Sequence, residues 1–177
     1  MKNEVFSLRN FEIKTNQSFF FDNNIWMYLF CPIGDYKKNK QDNISKFLDR
    51  VIDKNNSIII NNLILSEFSN ACLRLDFNLW KNENQFPIAN FKNDYFTTDR
   101  AKEARLTISN SIRKILKIAD RYPDSFNALN IDNILTYYKS MDYNDAIIYN
   151  ECRSKKWILV SEDSDFLNLA GLKMIKV

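Results

Sequence analysis

Apolar residues along this chain fall into two rhythms. Short runs, each ended by polar residues, stand at 18–21, 57–60, 157–160 and 172–177. Each has the length and β-branched or aromatic content of a buried strand. Between them the apolar residues recur at helical spacing. Residues 25–30 have helical character up to Pro32, and 43–53 carries Ile44, Phe47, Leu48, Val51 and Ile52. From 63 to about 76, Ile64, Phe68, Ala71, Cys72 and Leu75 share a face, and over 98–121 Ala101, Ala104, Ile108, Ile112, Ile115 and Ala119 form one stripe. Shorter helices are predicted over 131–138 and 143–154. Punctuation comes from a lysine-bearing polar loop at 34–41, from Asn55-Asn56 and Asn61-Asn62, and from Tyr122-Pro123-Asp124. Residues 78–96 lack clean periodicity and are broken by Pro87, so they read as an irregular excursion. Strands separated by helices predict an α/β fold, a three-layer α/β/α sandwich with a central, mostly parallel sheet. One domain over 1–177 is expected, with 78–141 as an extended excursion with helices.

This pattern gives four acidic residues a common address. Asp22 follows the first strand in Phe-Phe-Phe-Asp-Asn-Asn, and Glu67 lies early in the helix after the second. Asp145 begins the helix that feeds the third strand, and Asp163 follows that strand in Leu-Val-Ser-Glu-Asp-Ser-Asp-Phe. Strand ends and helix starts share one edge of a parallel sheet, where ligands of such folds bind. Any one of these aspartates alone is an ordinary helix cap, and Glu67 alone an ordinary solvated helix residue. Together they would repel one another unless protons or cations offset their charge. Carboxylate oxygens suit Mg²⁺ or Mn²⁺, and such a centre can activate water for an in-line displacement at phosphorus.

Composition narrows the chemistry further. The chain has no histidine, which excludes Ser-His-Asp and Cys-His nucleophile systems and His-based zinc sites. Its only glycines are Gly34 and Gly171, too few for a glycine-rich phosphate cradle. Apolar residues make up 45% of the 177 and charged residues 27%, the balance of a globular domain, and the formal net charge of +3 permits nucleic-acid binding without arguing for it. No apolar run approaches the ~18–20 residues of a membrane span, and the polar amino terminus does not read as a signal peptide. Cys31, Cys72 and Cys152 are far apart and read as reduced, buried thiols, so a cytoplasmic protein is expected.

The motifs also resemble a known family, the PIN-domain nucleases, which include the VapC-toxin-like ribonucleases. Phe-Phe-Phe-Asp-Asn-Asn-Ile resembles that family's opening strand, and Leu-Ser-Glu-Phe its second motif. Asp-Ala-Ile-Ile-Tyr-Asn-Glu-Cys resembles its third, and Leu-Val-Ser-Glu-Asp-Ser-Asp-Phe its fourth. The match in order runs from Phe19 to Phe166. The resemblance implies that Asp22, Glu67, Asp145 and Asp163 are catalytic, metal-binding acids. It implies that Asn24 and Ser161 orient them, with Asp165 as an outer ligand. Asp142, one turn before Asp145, competes for the third role. It also implies a Mg²⁺- or Mn²⁺-dependent endoribonuclease acting on single-stranded or structured RNA. Such a protein is often the toxin of a bacterial toxin–antitoxin pair and often a homodimer. Two departures stand out: Asn23 replaces the Thr or Ser usual after the first acid, and 78–141 is longer than in the compact toxins.

Two further features have plain and functional readings. Arg100, Arg105, Arg113, Lys114, Lys117 and Arg121, with Lys37, Lys38 and Lys40 elsewhere, could contact phosphates or simply be solvated. Phe77, Trp80, Phe86, Phe91, Tyr95 and Phe96 could stack on bases or bury a partner, although pinning the excursion to the core is the default. The rival to a nuclease is a non-catalytic RNA-binding or scaffold module of the same fold. An aspartyl-nucleophile phosphatase is disfavoured because position 24 is Asn and not Asp.

Overall fold

A computed structural model describes residues 3–123 and 125–177. Asp124, the last residue of the predicted Tyr-Pro-Asp breaker, lies outside them, as do Met1 and Lys2 of the polar amino terminus. The strands are β1 (Glu4–Ser7), β2 (Ser18–Phe21), β3 (Ser57–Ile60), β4 (Asp120–Arg121), β5 (Ile158–Ser161) and β6 (Lys173–Lys176). The helices are α1 (Asn23–Phe30), α2 (Lys38–Asp53), α3 (Asn62–Glu83), α4 (Asp99–Ile115), α5 (Ile131–Tyr137) and α6 (Tyr143–Lys155). The strands form one sheet in the order β1-β6-β5-β2-β3-β4. Every pairing is parallel, so the expected mostly parallel sheet is wholly so.

The inner strands are apolar throughout because both of their faces are covered. Phe19, Phe20, Phe21, Ile58, Ile59, Ile60, Leu159 and Val160 are all buried. Each such side chain contributes about 1.5–3 kcal/mol by leaving water. From β2 the chain crosses to β3 and on to β4, then returns across β2 to β5 on its other side. Right-handed crossovers therefore place the α5–α6 connection on the face opposite the earlier helices. The helix contacts agree: α1 packs against α2, α3 and α4, and α5 against α6. The reversal of direction between β2 and β5 is the position that ligands occupy in sheets of this type. No helix among the described residues is long and apolar enough to cross a membrane, and all three cysteines are buried free thiols.

Five elements depart from the pattern expected of the sequence. α2 begins at Lys38, inside the segment read as a loop, because its exposed first turn carries no apolar residue to mark it. α3 runs past Asp76 to Glu83 and ends at Asn84 and Gln85, the latter at φ 51°. α4 stops at Ile115, and Asp120–Arg121, expected to be helical, form the edge strand β4 by pairing with Ile59 and Ile60. β1 was not expected at all, since an exposed edge strand needs no apolar face.

The excursion is more ordered than its sequence suggests. Phe77 and Trp80, one turn apart on α3, meet Tyr95 at ring centroid distances of 5.2 and 5.6 Å. Phe91 and Tyr95 lie on a π-helical turn, Phe91–Tyr95, and Phe91 meets Phe77 edge-on at 5.4 Å. Beneath this cluster Asp76, 3% exposed, accepts from the Tyr95 hydroxyl at 2.6 Å. It also accepts from Arg100 Nε and Nη2 at 2.9 and 2.7 Å. Arg105 donates to the Phe96 carbonyl and lies over its ring. Arg100 and Arg105 are therefore engaged in holding the excursion and are not free for phosphates. Phe77, Trp80, Phe91 and Tyr95 fit the pinning role, while Phe86 and Phe96 remain partly exposed.

Replacing Asp76 with Ala leaves the Tyr95 hydroxyl without its acceptor and Arg100 without its main partner. The expected cost is about 2 kcal/mol, because Arg100 can regain some water. For a chain of this length that is about 4–8 °C in Tm, read by thermal unfolding. An unchanged Tm would show that the aromatic cluster alone holds the excursion.

Candidate metal centre

Asp22 leaves the end of β2 as the N-cap of α1. Its Oδ1 accepts from the Asn23 amide at 2.6 Å, and its Oδ2 accepts from Asn24 Nδ2 and Ser161 Oγ, both at 2.5 Å. Ser161 is the last residue of β5, adjacent to β2, so this last bond ties two neighbouring strand ends. Ser161 Oγ also accepts from Asn24 Nδ2 at 3.2 Å and from the Asp163 amide at 2.9 Å. Asn24 Oδ1 accepts from the Glu162 amide at 3.1 Å. Asp22, Asn24 and Ser161 thus lock the start of α1 to the turn after β5. Burial raises the Asp22 pKa from its ordinary value; the Ser161, Asn23 and Asn24 donors oppose that rise, and nearby Asp163 adds to it.

The other acids arrive from separate elements. Glu67 is half-buried on α3, where its Oε1 accepts from Asn144 Nδ2 at 2.5 Å. Burial raises its pKa, Asn144 opposes the rise, and the charges of Asp22 and Asp142 add to it. Asp145 lies in the first turn of α6. The cap of that helix is Asp142, whose side chain accepts from the Asp145 amide at 3.0 Å. That bond explains the acid one turn upstream: Asp142 is exposed and holds the helix start. The Asp145 pKa is pushed up to about 8 by burial first, then by Asp142, Asp22, Asp163 and Glu67. Asp22, Glu67 and Asp163, the other sequence-predicted acids, therefore all bear electrostatically on Asp145.

The tightest grouping includes a residue expected only as an outer member. One carboxylate oxygen from each of Asp145, Asp163 and Asp165 lies within 4.8 Å of the others. The Asp165 amide donates to Asp163 Oδ1 at 2.8 Å, which folds the turn and brings both side chains together. Asp22 and Glu67 lie outside this grouping, Asp22 held by Asn23, Asn24 and Ser161 and Glu67 by Asn144.

Sequence reasoning passed over Asn144 and the surroundings of Glu162. Asn144 directly precedes Asp145, but a polar residue in a first helical turn carries no signal of its own. Glu162 Oε2 accepts from the Tyr28 hydroxyl at 2.7 Å, and its other oxygen pairs with Lys40. Lys176 Nζ donates to the Glu162 carbonyl and, at 3.0 Å, to Ser164 Oγ. These partners come from three distant elements, so no local motif could show them.

An oxygen-only donor set, in which burial and then the neighbouring acids push the Asp145 pKa up to about 8, fits a hard divalent cation. The class this fold and site define is a doubly wound α/β domain with a carboxylate centre at its topological switch point. The PIN domain model matches residues 19–172, and the chain belongs to that family. No curated protein matches it. Among solved structures, it is similar to VapBC2 from Rickettsia felis, whose crystal structure is bound to a DNA fragment from their promoter. The TM-score is 0.53 at 14% identity, covering 91% of this chain and 99% of that one. At that identity the likeness shows the fold alone.

The crowding has a measurable consequence in the absence of divalent ions. Between an ordinary value of 3.8 and about 8 the folded protein holds the Asp145 proton and the unfolded chain has lost it. Stability then falls as pH rises through that window, and the raised Asp22 and Glu67 act in the same direction. With chelator present, Tm should drop from about pH 5 to about pH 8, and Asp145→Asn should flatten the drop. Mn²⁺ at about a hundredfold its dissociation constant should raise wild-type Tm by about 5–10 °C. Equal pH slopes in both proteins, with no Mn²⁺ shift, would mean that the carboxylates are not a cation site.

Proposed function

We propose that this protein is a metal-dependent endoribonuclease that hydrolyses phosphodiester bonds in single-stranded or structured RNA. The observation that carries the reading is the convergence of Asp145, Asp163 and Asp165 oxygens within 4.8 Å on a PIN-family chain. In this reading Asp145 and Asp163, joined by Asp165, Asp22 and Glu67, hold Mg²⁺ or Mn²⁺. The ion supplies Lewis acidity, which makes a water a better nucleophile and offsets charge developing at phosphorus.

The remaining work belongs to the chain. Asn24 and Ser161 aim Asp22 by donating to its Oδ2, and Asn144 orients Glu67 through Oε1. Asp142 fixes the start of α6, which sets the direction from which Asp145 enters the centre. With a cation offsetting the neighbouring charges, Asp145 would be held ionised, and a carboxylate of the centre would accept the proton of the attacking water. Likeness to VapBC2 supports a place in a toxin–antitoxin pair, with an antitoxin protein as partner; a homodimer as the working form rests on the family resemblance alone.

Cleavage of labelled single-stranded RNA, with Mn²⁺ or Mg²⁺ and with chelator, tests the reading. Asp22→Asn and Asp145→Asn should each slow cleavage at least about 100-fold while circular dichroism stays native. Full activity in both variants would overturn the assignment. RNA binding without cleavage across a varied pool would favour the non-catalytic module.

A further inference from the structure

The edge that carries the acids continues past them. In the strand order, β6 and β1 follow β5 on the side away from β2. At their carboxyl ends lies an open hollow of about 640 Å³ whose lining includes Leu8, Val177, Lys37, Lys38, Lys40 and Asn43. Leu8 follows β1, Val177 follows β6, and the lysines come from the start of α2. Two strand spacings, ~10 Å, separate the middle of this hollow from the β5–β2 junction where the acids meet.

Glu162 links hollow and centre through Lys40, which lines the hollow. It precedes Asp163 in the chain, its carboxylate holds Lys40 and Tyr28, and its carbonyl holds Lys176. Two cations are thus fixed at the boundary, one residue from the acidic centre. Lys37 and Lys38 differ: both are exposed, and no carboxylate pairs with either among the described residues. Other basic candidates are engaged elsewhere or lie apart from this hollow. Arg100 and Arg105 are engaged with Asp76 and Phe96, and the hollow between α1 and α4 has Lys114 as its single cationic lining residue.

An acidic centre repels every phosphate of a nucleic acid except one next to a bound cation. Affinity for a polyanion must come from positive charge placed within a nucleotide or two of the centre. We propose that Lys37 and Lys38, with Lys40 and Lys176 at the boundary, bind the phosphates of single-stranded RNA on one side of the scissile bond, with Leu8 and Val177 as the apolar floor beneath a base or ribose. The proposal rests on the nuclease reading of the carboxylate centre. An RNA strand is favoured over an acidic peptide because the lysines stand beside a centre suited to phosphodiester chemistry.

The test measures binding apart from cleavage. A fluorescent single-stranded oligoribonucleotide is titrated into the full chain carrying Asp145→Asn, across a range of salt concentrations. Adding Lys37→Ala and Lys38→Ala together should weaken binding at least about tenfold and reduce the salt slope by about 1.4, the value for two lost phosphate contacts on a single strand. Lys14→Ala with Lys54→Ala removes the same charge from exposed positions before β2 and after α2, at the opposite edge, and should bind like the parent. A circular dichroism spectrum and a thermal midpoint matching the parent's confirm that each variant is folded. Parent-like binding by the Lys37/Lys38 variant overturns the proposal, as does absence of RNA binding or preference for polyglutamate over RNA. If the lysine-dependent binding appears but wild-type protein cleaves no RNA, the surface stands and the nuclease reading falls. If wild-type cleaves and the lysines do not matter, the reverse holds.

Discussion

The hydrogen bond from Ser161 to Asp22 joins the ends of two adjacent parallel strands at the place where the sheet reverses its winding. Asp22 is 5% exposed, and an unpaired carboxylate there would be costly. Three donors make the position tolerable: a backbone amide, an amide side chain and a hydroxyl. The same Ser161 oxygen receives the Asp163 amide, so the bond that satisfies Asp22 also bends the chain after β5 toward the acids. Removing this junction would unseat the turn that presents Asp163 and Asp165 together with the start of α1.

Around this junction the fold accepts electrostatic strain that a purely structural protein would avoid. Asp145 sits among Asp142, Asp22, Asp163 and Glu67, with burial as the larger penalty. The penalty is supported by apolar packing elsewhere: the strands behind the acids are buried on both faces, and Ala146, Ile148 and Tyr149 anchor α6 just beyond Asp145. Positive charge stays at the margin, where Lys40 and Lys176 meet Glu162, and among the described residues no lysine or arginine pairs with the acids themselves. Such a division, acids at the centre and lysines beside it, suits the proposed cation site and the proposed polyanion surface.

The extended segment between β3 and β4 illustrates a different balance. Its aromatic residues look unpatterned because they serve a small cluster of their own: Phe77, Trp80, Phe91 and Tyr95 pack together over Asp76 and its arginine. A buried ion pair of this kind needs its extra hydrogen bond from Tyr95 to be tolerable. Arg100 and Arg105, two of the arginines read in the sequence as candidate phosphate contacts, are engaged there.

Much of the sheet was legible in the sequence because strands buried on both faces must be continuously apolar, as at Phe19–Phe21 and Ile58–Ile60. Helix faces were legible where they meet the core, and illegible where they do not, as in the first turn of α2 and the polar edge strands β1 and β4. The chain by itself also determined the residue types: acids after strands and at helix starts, and no histidine to share their work. Only the tertiary structure decided the division of labour among those acids. Asp142 became a cap, Asp165 joined Asp145 and Asp163, Asn144 was enlisted by Glu67, and Glu162 was turned toward lysines. These choices depend on distances between elements far apart in the chain, which local periodicity does not encode.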